Sequence, residues 1–220
     1  MYSFRNDYSE GAHPQVMQAL MDTNLEQTCG YGLDHYCQEA VDLIRRLCDA
    51  PKADVHFLVG GTQTNLVAIT AFLASYEAVI AAHTGHVNTH ETGAIEATGH
   101  KVCAVRSPDG KLTPALIEFV LSEHNGSEHM VAPKMVYVSD STEIGTIYSK
   151  AELTALRECC DKHGLLLFLD GARLGSAFTA PENDLTLPDL AALTDLFYLG
   201  GTSWARPWGG TPPTTTSAGT

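Results

Sequence analysis

Positive charge is what this chain has least of. Thirteen lysines and arginines stand against 26 aspartates and glutamates, a formal net charge of −13 with histidine neutral. A surface of that sign repels phosphate backbones and anionic lipid, so nucleic acid and membrane surfaces are excluded as primary partners. Long apolar runs are missing too: none approaches the ~20 residues that a membrane span requires. The six cysteines, Cys29, Cys37, Cys48, Cys103, Cys159 and Cys160, contain no CxxC pair and no regular spacing. They read as core or surface thiols of a reducing compartment rather than as a disulfide framework. The opening MYSFRNDYSEG lacks the basic and apolar pattern of a signal peptide, so the expected location is cytoplasmic. What remains is a chain of 220 residues, 44% hydrophobic and 18% charged, with enough material for a real core and a bias toward small-molecule chemistry.

Along the chain, apolar runs and amphipathic stretches alternate. Pro14 opens a helix to about Met21, and Asp34 caps one in which Tyr36, Ala40, Leu43, Ile44 and Leu47 share a face. Between them Gln27–Gly32 is glycine-punctuated, which places Tyr31 on a loop. Short strands are expected at Val55–Val59, Val79–Ala82, Lys101–Val105, Met135–Ser139 and Asp195–Leu199, and helices at Thr113–Glu123 and Ala151–His163. Strand, polar loop and helix in repetition predict an α/β fold, a mostly parallel sheet with helices on both faces.

The stretch Leu165–Arg173, LLLFLDGAR, is the most informative. Five consecutive large apolar residues cannot alternate in and out, so they read as a strand buried on both faces. Asp170 then stands at its carboxyl end, where open α/β sheets bind ligands. On these residues alone, Asp170 capping the next helix and pairing with Arg173 is the simpler reading. Gly60-Gly61-Thr62 turns one strand into the next helix and leaves backbone N–H groups at a helix start, which suits a phosphate. His83, His86 and His90, followed by Glu91, would share a face if they lay on one helix, which makes a zinc hydrolase the chief rival reading. With parallel topology, Thr62, His86, Thr142, Glu143, Asp170 and Arg173 converge on one rim.

Read together, GGTQTN at 60–65, His86 with Glu91 behind it, STEIGTIYSKAEL at 141–153, LFLDGARLG at 167–175 and DLFYLGGT at 195–202 resemble the threonine aldolase and β-eliminating lyase family. The resemblance runs from about Phe4 to Thr202. It implies the large domain of a fold type I enzyme dependent on pyridoxal 5'-phosphate, over residues 1–202, and a homo-oligomer acting on a small amino acid. It also implies roles: Gly60, Gly61 and Thr62 for the cofactor phosphate, His86 against the ring and Asp170 on the ring nitrogen. Arg173 would hold the substrate carboxylate, with Asn6, Asp7 and Tyr31 nearby in family loops. The implied reaction cleaves a β-hydroxy amino acid to glycine and an aldehyde. β-Elimination and racemisation are the alternatives within the same family.

Two departures stand out. Glu143 occupies a position where some members carry histidine, which removes an imidazole that could handle a proton on the substrate hydroxyl. Ser203 stands where the family forms its Schiff base with lysine, and serine cannot form an imine. The tail 203–220, SWARPWGGTPPTTTSAGT, is of low complexity and reads as aberrant. If Ser203–Trp208 is encoded AGC TGG GCG CGG CCC TGG, one added A gives AAG CTG GGC GCG GCC CTG, which reads Lys-Leu-Gly-Ala-Ala-Leu. The hypothesis is therefore a one-base deletion that converts the lysine codon and removes the small carboxyl-terminal domain, leaving an inactive or non-catalytic fragment. Resequencing the locus should recover the lysine frame followed by a long open segment; a confirmed serine codon with no such alternate frame sinks the hypothesis.

Overall fold

The computed structural model describes residues 6–9, 11–124, 126–201 and 214–217. Two helices, α1 (Pro14–Thr23) and α2 (His35–Leu47), precede β1 (Asp54–Phe57) and α3 (Gly61–Phe72). Then come β2 (Glu77–Ala82), two single-turn helices α4 (His86–Thr89) and α5 (Ala94–Ala97), β3 (Lys101–Val105) and α6 (Pro114–Glu123). The chain continues through β4 (Ala132–Ser139), α7 (Lys150–His163), β5 (Leu166–Asp170), α8 (Leu174–Phe178), α9 (Leu187–Leu193), β6 (Leu196–Leu199) and β7 (Thr214–Ser217).

The helix starts follow from local chemistry. The Asp34 carboxylate accepts from the Cys37 N–H at 2.9 Å and opens α2. Ser149 with Glu152, and Thr186 with Asp189, form capping boxes at α7 and α9, each satisfying two orphan N–H groups reciprocally. Gly164, at φ 63°, ends α7 in the left-handed conformation that glycine alone adopts without strain.

The strands form one seven-stranded sheet in the order β1-β7-β6-β5-β4-β2-β3. The pairings among β2, β3, β4, β5 and β6 are parallel, as the alternation of strands and helices predicts. β7 is antiparallel to both β1 and β6. β7 lies in the low-complexity tail, and β-branched threonine at 214–216 supplies the strand preference. β1 stops at Phe57 rather than Val59, because the Val59 N–H leaves the sheet and donates to Gln63 Oε1 at 3.1 Å.

Residues of the central strands alternate between two cores. Ile80, Val138, Leu167, Leu169 and Phe197 face α6, α7 and α9, with Leu153, Leu156 and Leu190 packed on them. Val79, Ala81, Met135, Tyr137, Phe168 and Tyr198 face α3 and its buried Ala68 and Ile69. β5 is buried on both sides, Leu167, Phe168 and Leu169 all at 0% exposure, as its apolar run predicts. The amphipathic face of α2 is only partly covered: Ile44 packs on the core, but Tyr36, Leu43 and Leu47 stay exposed.

One buried charge carries a stability consequence. Asp140, fully buried just beyond β4, accepts the Tyr148 N–H at 3.3 Å on Oδ1, while its Oδ2 has no hydrogen-bond partner. Burial pushes its carboxyl up to about 7, against about 3.9 in an unfolded chain. Between those values the folded protein holds a proton that the unfolded chain has released. Stability therefore falls as pH rises through this window and levels off above it. Asp140→Asn should stabilise the protein by about 2–4 kcal/mol above pH 7 and hardly at all near pH 4. Urea unfolding at both pH values checks this, and an equal effect at both would rule it out.

Candidate active site

Three neighbouring strands bring their polar tips to one face. In the register of the sheet, Tyr137 pairs with Phe168 and Ser139 with Asp170 across β4 and β5, while Leu169 pairs with Phe197 across β5 and β6. Side chains alternate along a strand, so Tyr137, Ser139, Phe168, Asp170 and Tyr198 all point toward the α3 side. The Phe168 ring meets Tyr137 edge-on, at 5.6 Å between centroids and 76°, and lies 6.3 Å from Tyr198. This aromatic floor keeps water from beneath Asp170, which is 4% exposed.

A buried polar network surrounds that carboxylate. Asp170 Oδ1 accepts from the Tyr198 hydroxyl at 2.5 Å and from the Ala172 N–H at 2.9 Å. Oδ2 accepts from the Tyr137 hydroxyl and from Asn65 Nδ2 at 3.1 Å. The same Asn65 nitrogen donates to Glu91 Oε1 at 2.6 Å, and that oxygen lies 2.8 Å from His86 Nδ1. Burial and the charge of Asp170 hold the Tyr137 and Tyr198 hydroxyls well above their ordinary range, so both remain donors. The hydrogen bond to Glu91, helped by the nearby charges of Asp170 and Glu143, raises the His86 imidazole above its ordinary value, against the opposing effect of burial. A continuous path thus runs from His86 through Glu91 and Asn65 to Asp170.

Above this network lies a cleft of about 190 Å³, lined by residues that include Tyr8, Gly61, Thr62, His86, Ser139, Glu143, Asp170, Arg173 and Tyr198. One wall is the start of α3. Its cap residue Gly60 is extended and offers no side-chain capping bond, so the first-turn N–H groups remain available to an anion. Gly61 permits a close approach, because a Cβ there would sit 3.2 Å from the Tyr198 hydroxyl. On the opposite rim Arg173 forms a fork on Asp7, Nε to Oδ2 at 2.7 Å and Nη2 to Oδ1 at 3.2 Å, which raises the guanidinium further. Glu143 accepts from the Ser139 hydroxyl at 2.9 Å, and burial lifts its carboxyl above the ordinary range.

Of the residues singled out from sequence, Gly61, Thr62, His86, Glu143, Asp170 and Arg173 meet in this cleft, and Gly60 caps the helix behind it. Asn6 is engaged locally, accepting from the Tyr8 N–H and the Ser9 hydroxyl. Tyr31, at φ 65°, is fully exposed and does not line the cleft. Thr142 turns away to the Thr146 hydroxyl at 2.7 Å. Ser203 lies outside the described residues. The capping reading of Asp170 is corrected: α8 begins after Arg173, Asp170 holds the turn through Ala172, and the partner of Arg173 is Asp7. The three histidines do not share a helix face, because α4 spans only His86–Thr89, and His83 instead accepts from the Ser107 N–H at 3.3 Å. Asn65, Tyr137, Tyr198 and Tyr8 were not foreseen. A signal existed for Asn65, which shares the buried helical face of Ala68 and Ile69, where a polar residue needs a reason to sit.

The profile of the β-eliminating lyase family matches residues 3–203. The low specificity L-threonine aldolase of a Pseudomonas species is 35% identical over 176 residues, covering 79% of this chain and 50% of that protein. The low specificity L-threonine aldolase of Saccharomyces cerevisiae is 29% identical over 178 residues, with 78% and 45% covered. The solved threonine aldolase of Leishmania major is 53% identical with a TM-score of 0.95, over 99% of this chain and 63% of that one. An archaeal alanine:glyoxylate aminotransferase, 16% identical with a TM-score of 0.70 over 96% of this chain and 54% of that one, shares the fold. The chain spans about half the length of the curated relatives it matches.

The link between Glu91 and His86 makes a measurable claim. Glu91→Gln keeps an acceptor for Asn65 but removes the charge, so the His86 imidazole should titrate closer to the ordinary ~6.5. Histidine ring resonances followed by NMR against pH test this; an unchanged His86 titration would show that Glu91 is not the main cause.

Proposed function

The chain belongs to the β-eliminating lyase family, and from that premise we propose that it forms the cofactor-binding part of a pyridoxal 5'-phosphate-dependent, threonine aldolase-like lyase. The substrate class is a β-hydroxy amino acid and the products are glycine and an aldehyde. The observation that carries this reading is the buried Asp170 carboxylate at the tip of β5, facing a cleft whose other wall is an uncapped helix start.

The residues fit the cofactor. Asp170 and Glu91 are both buried, Glu91 Oε1 lies 2.8 Å from His86 Nδ1, and Arg173 is matched by Asp7. The pocket floor thus presents buried carboxyl groups, and a carboxylate at Asp170 suits a protonated ring nitrogen. Asp170 would hold that nitrogen, His86 would lie against the ring, and the N–H groups near Gly60 and Gly61 with the Thr62 hydroxyl would take the phosphate. When bound, the cofactor supplies an electron sink for the pair released at the substrate α-carbon.

The chain's own residues supply the rest. The Arg173 guanidinium, a planar fork, exchanges Asp7 for a substrate carboxylate and orients it by two parallel hydrogen bonds. Glu143, its carboxyl raised by burial and steadied by Ser139, accepts the proton of the substrate hydroxyl. The aromatic floor of Tyr137, Phe168 and Tyr198 keeps water away from Asp170. Assembly with further copies accords with the exposed Leu20, Met21, Leu25 and Leu33 of the amino-terminal segment. Ser203 offers no amine, so this chain holds the cofactor without a covalent link and does not turn over.

Pyridoxal phosphate titrated against the purified chain, followed calorimetrically, tests the reading. Saturable binding is expected, weakened about tenfold or more by Asp170→Ala. The visible absorbance of a lysine-bound cofactor should be lacking until Ser203→Lys is combined with the downstream segment of a relative. That extended protein should release glycine from threonine or a related β-hydroxy amino acid. Equal binding by Asp170→Ala, or release of a product other than glycine, would overturn it.

A further inference from the structure

On the helix layer opposite the cleft face, α6 and α7 pack side by side over the core that contains Ile117, Val120, Leu153 and Leu156. Cys159 and His163 lie one turn apart on α7, so their side chains occupy the same face. Glu118 comes from the facing side of α6. A sulfur, an imidazole nitrogen and a carboxylate oxygen from these residues all lie within 4.8 Å of one another. We propose that Glu118, Cys159 and His163 form a zinc site that staples α6 to α7, independent of the cofactor cleft.

The geometry is close to what such an ion needs. Tetrahedral zinc with bonds of about 2.0–2.3 Å sets its ligand atoms roughly 3.3–3.8 Å apart. Glu118 Oε1 and His163 Nε2 are already 3.3 Å apart, so the remaining adjustment is about 1 Å of side-chain rotation toward the sulfur. Cys159 is 5% exposed and forms the floor, while Glu118 and His163 are exposed at the rim. That leaves a fourth position open to water.

The donor set points to the class of ion. A thiolate, an imidazole and a carboxylate suit a borderline divalent ion, whereas magnesium and calcium take oxygen ligands. Glu118 already attracts cationic groups, with Lys162 Nζ at 2.6 Å, and its Oε1 lies 3.3 Å from His163 Nε2. Zinc would displace Lys162, whose side chain is largely exposed and whose surface ion pair is weak. On binding, the Cys159 S–H bond breaks, its proton passes to solvent, and the two electrons of the sulfur lone pair form the metal bond. Thiolate and carboxylate together neutralise the ion.

Cobalt(II), used as a spectroscopic substitute for zinc and added to the chelator-treated full chain, tests the site. One equivalent should produce a thiolate-to-cobalt charge-transfer band that zinc then abolishes by displacement, and zinc alone should raise the melting temperature. Cys159→Ser should remove the band. Glu118→Gln and His163→Ala, both at exposed positions that leave the core intact, should weaken binding by about tenfold or more. Lys162→Ala should bind at least as tightly as the parent. Lack of the band, its persistence in Cys159→Ser, unchanged affinity in both rim variants, or weaker binding by Lys162→Ala would each overturn the proposal.

Discussion

The amide of Asn65 stands between two buried carboxylates, and the site depends on that placement. Glu91 and Asp170 come from distant parts of the chain, 26 and 105 residues beyond Asn65. Without a donor between them, two acids in this apolar setting would repel each other and lose their solvation. The amide nitrogen must face them, because the oxygen would meet two acceptors. This choice fixes the rotation of α3 on the sheet and with it the position of the Gly60–Thr62 turn. It also fixes Glu91, which holds the His86 ring by Nδ1. One amide thus sets three walls of the cleft.

The glycines at the ends of β5 and β6 complete the frame. A Cβ on Gly171 would collide with the Tyr198 carbonyl, and a Cβ on Gly200 would come within 2.5 Å of the Ala172 backbone. The Gly200 N–H donates to the Gly171 carbonyl at 3.0 Å. The two strand ends therefore cross in backbone contact just beside Asp170, an approach that no side chain permits. This explains in physical terms why DGAR and LGGT are glycine-bearing. The sequence shows the glycines, but only the crossing shows what each avoids.

The sheet was legible because buried parallel strands write themselves as apolar runs: LLLFLD gives β5 to within one residue, and VIAA gives the last four of the six residues of β2. The acid that ends the non-alternating apolar run also placed Asp170 at a strand tip without any coordinates. The short helices α4, α5, α8 and α9 were not legible, since elements of four to seven residues show too little periodicity to separate from loops. The same limit explains the histidine cluster, where a four-residue helix cannot deliver a pattern nine residues long. Tyr137 and Tyr198 were hidden for a different reason. In an apolar strand a tyrosine reads as core, and core they are; only the cross-strand register shows that their hydroxyls end on the carboxylate between them. The pairing of Arg173 with Asp7 spans 166 residues, a separation at which sequence spacing carries no geometric information.

That last pairing changes how ligand affinity at the cleft should be understood. Asp7 presents Arg173 with the same chemical group that a substrate carboxylate would present. The amino-terminal segment is thus a tethered competitor whose effective concentration is set by the stiffness of the chain and not by any solute. The apparent affinity of a free carboxylate is its intrinsic affinity scaled by the fraction of molecules in which the fork is open. If Arg173 holds a substrate carboxylate as proposed, selection at this rim is a comparison between that arriving ligand and Asp7.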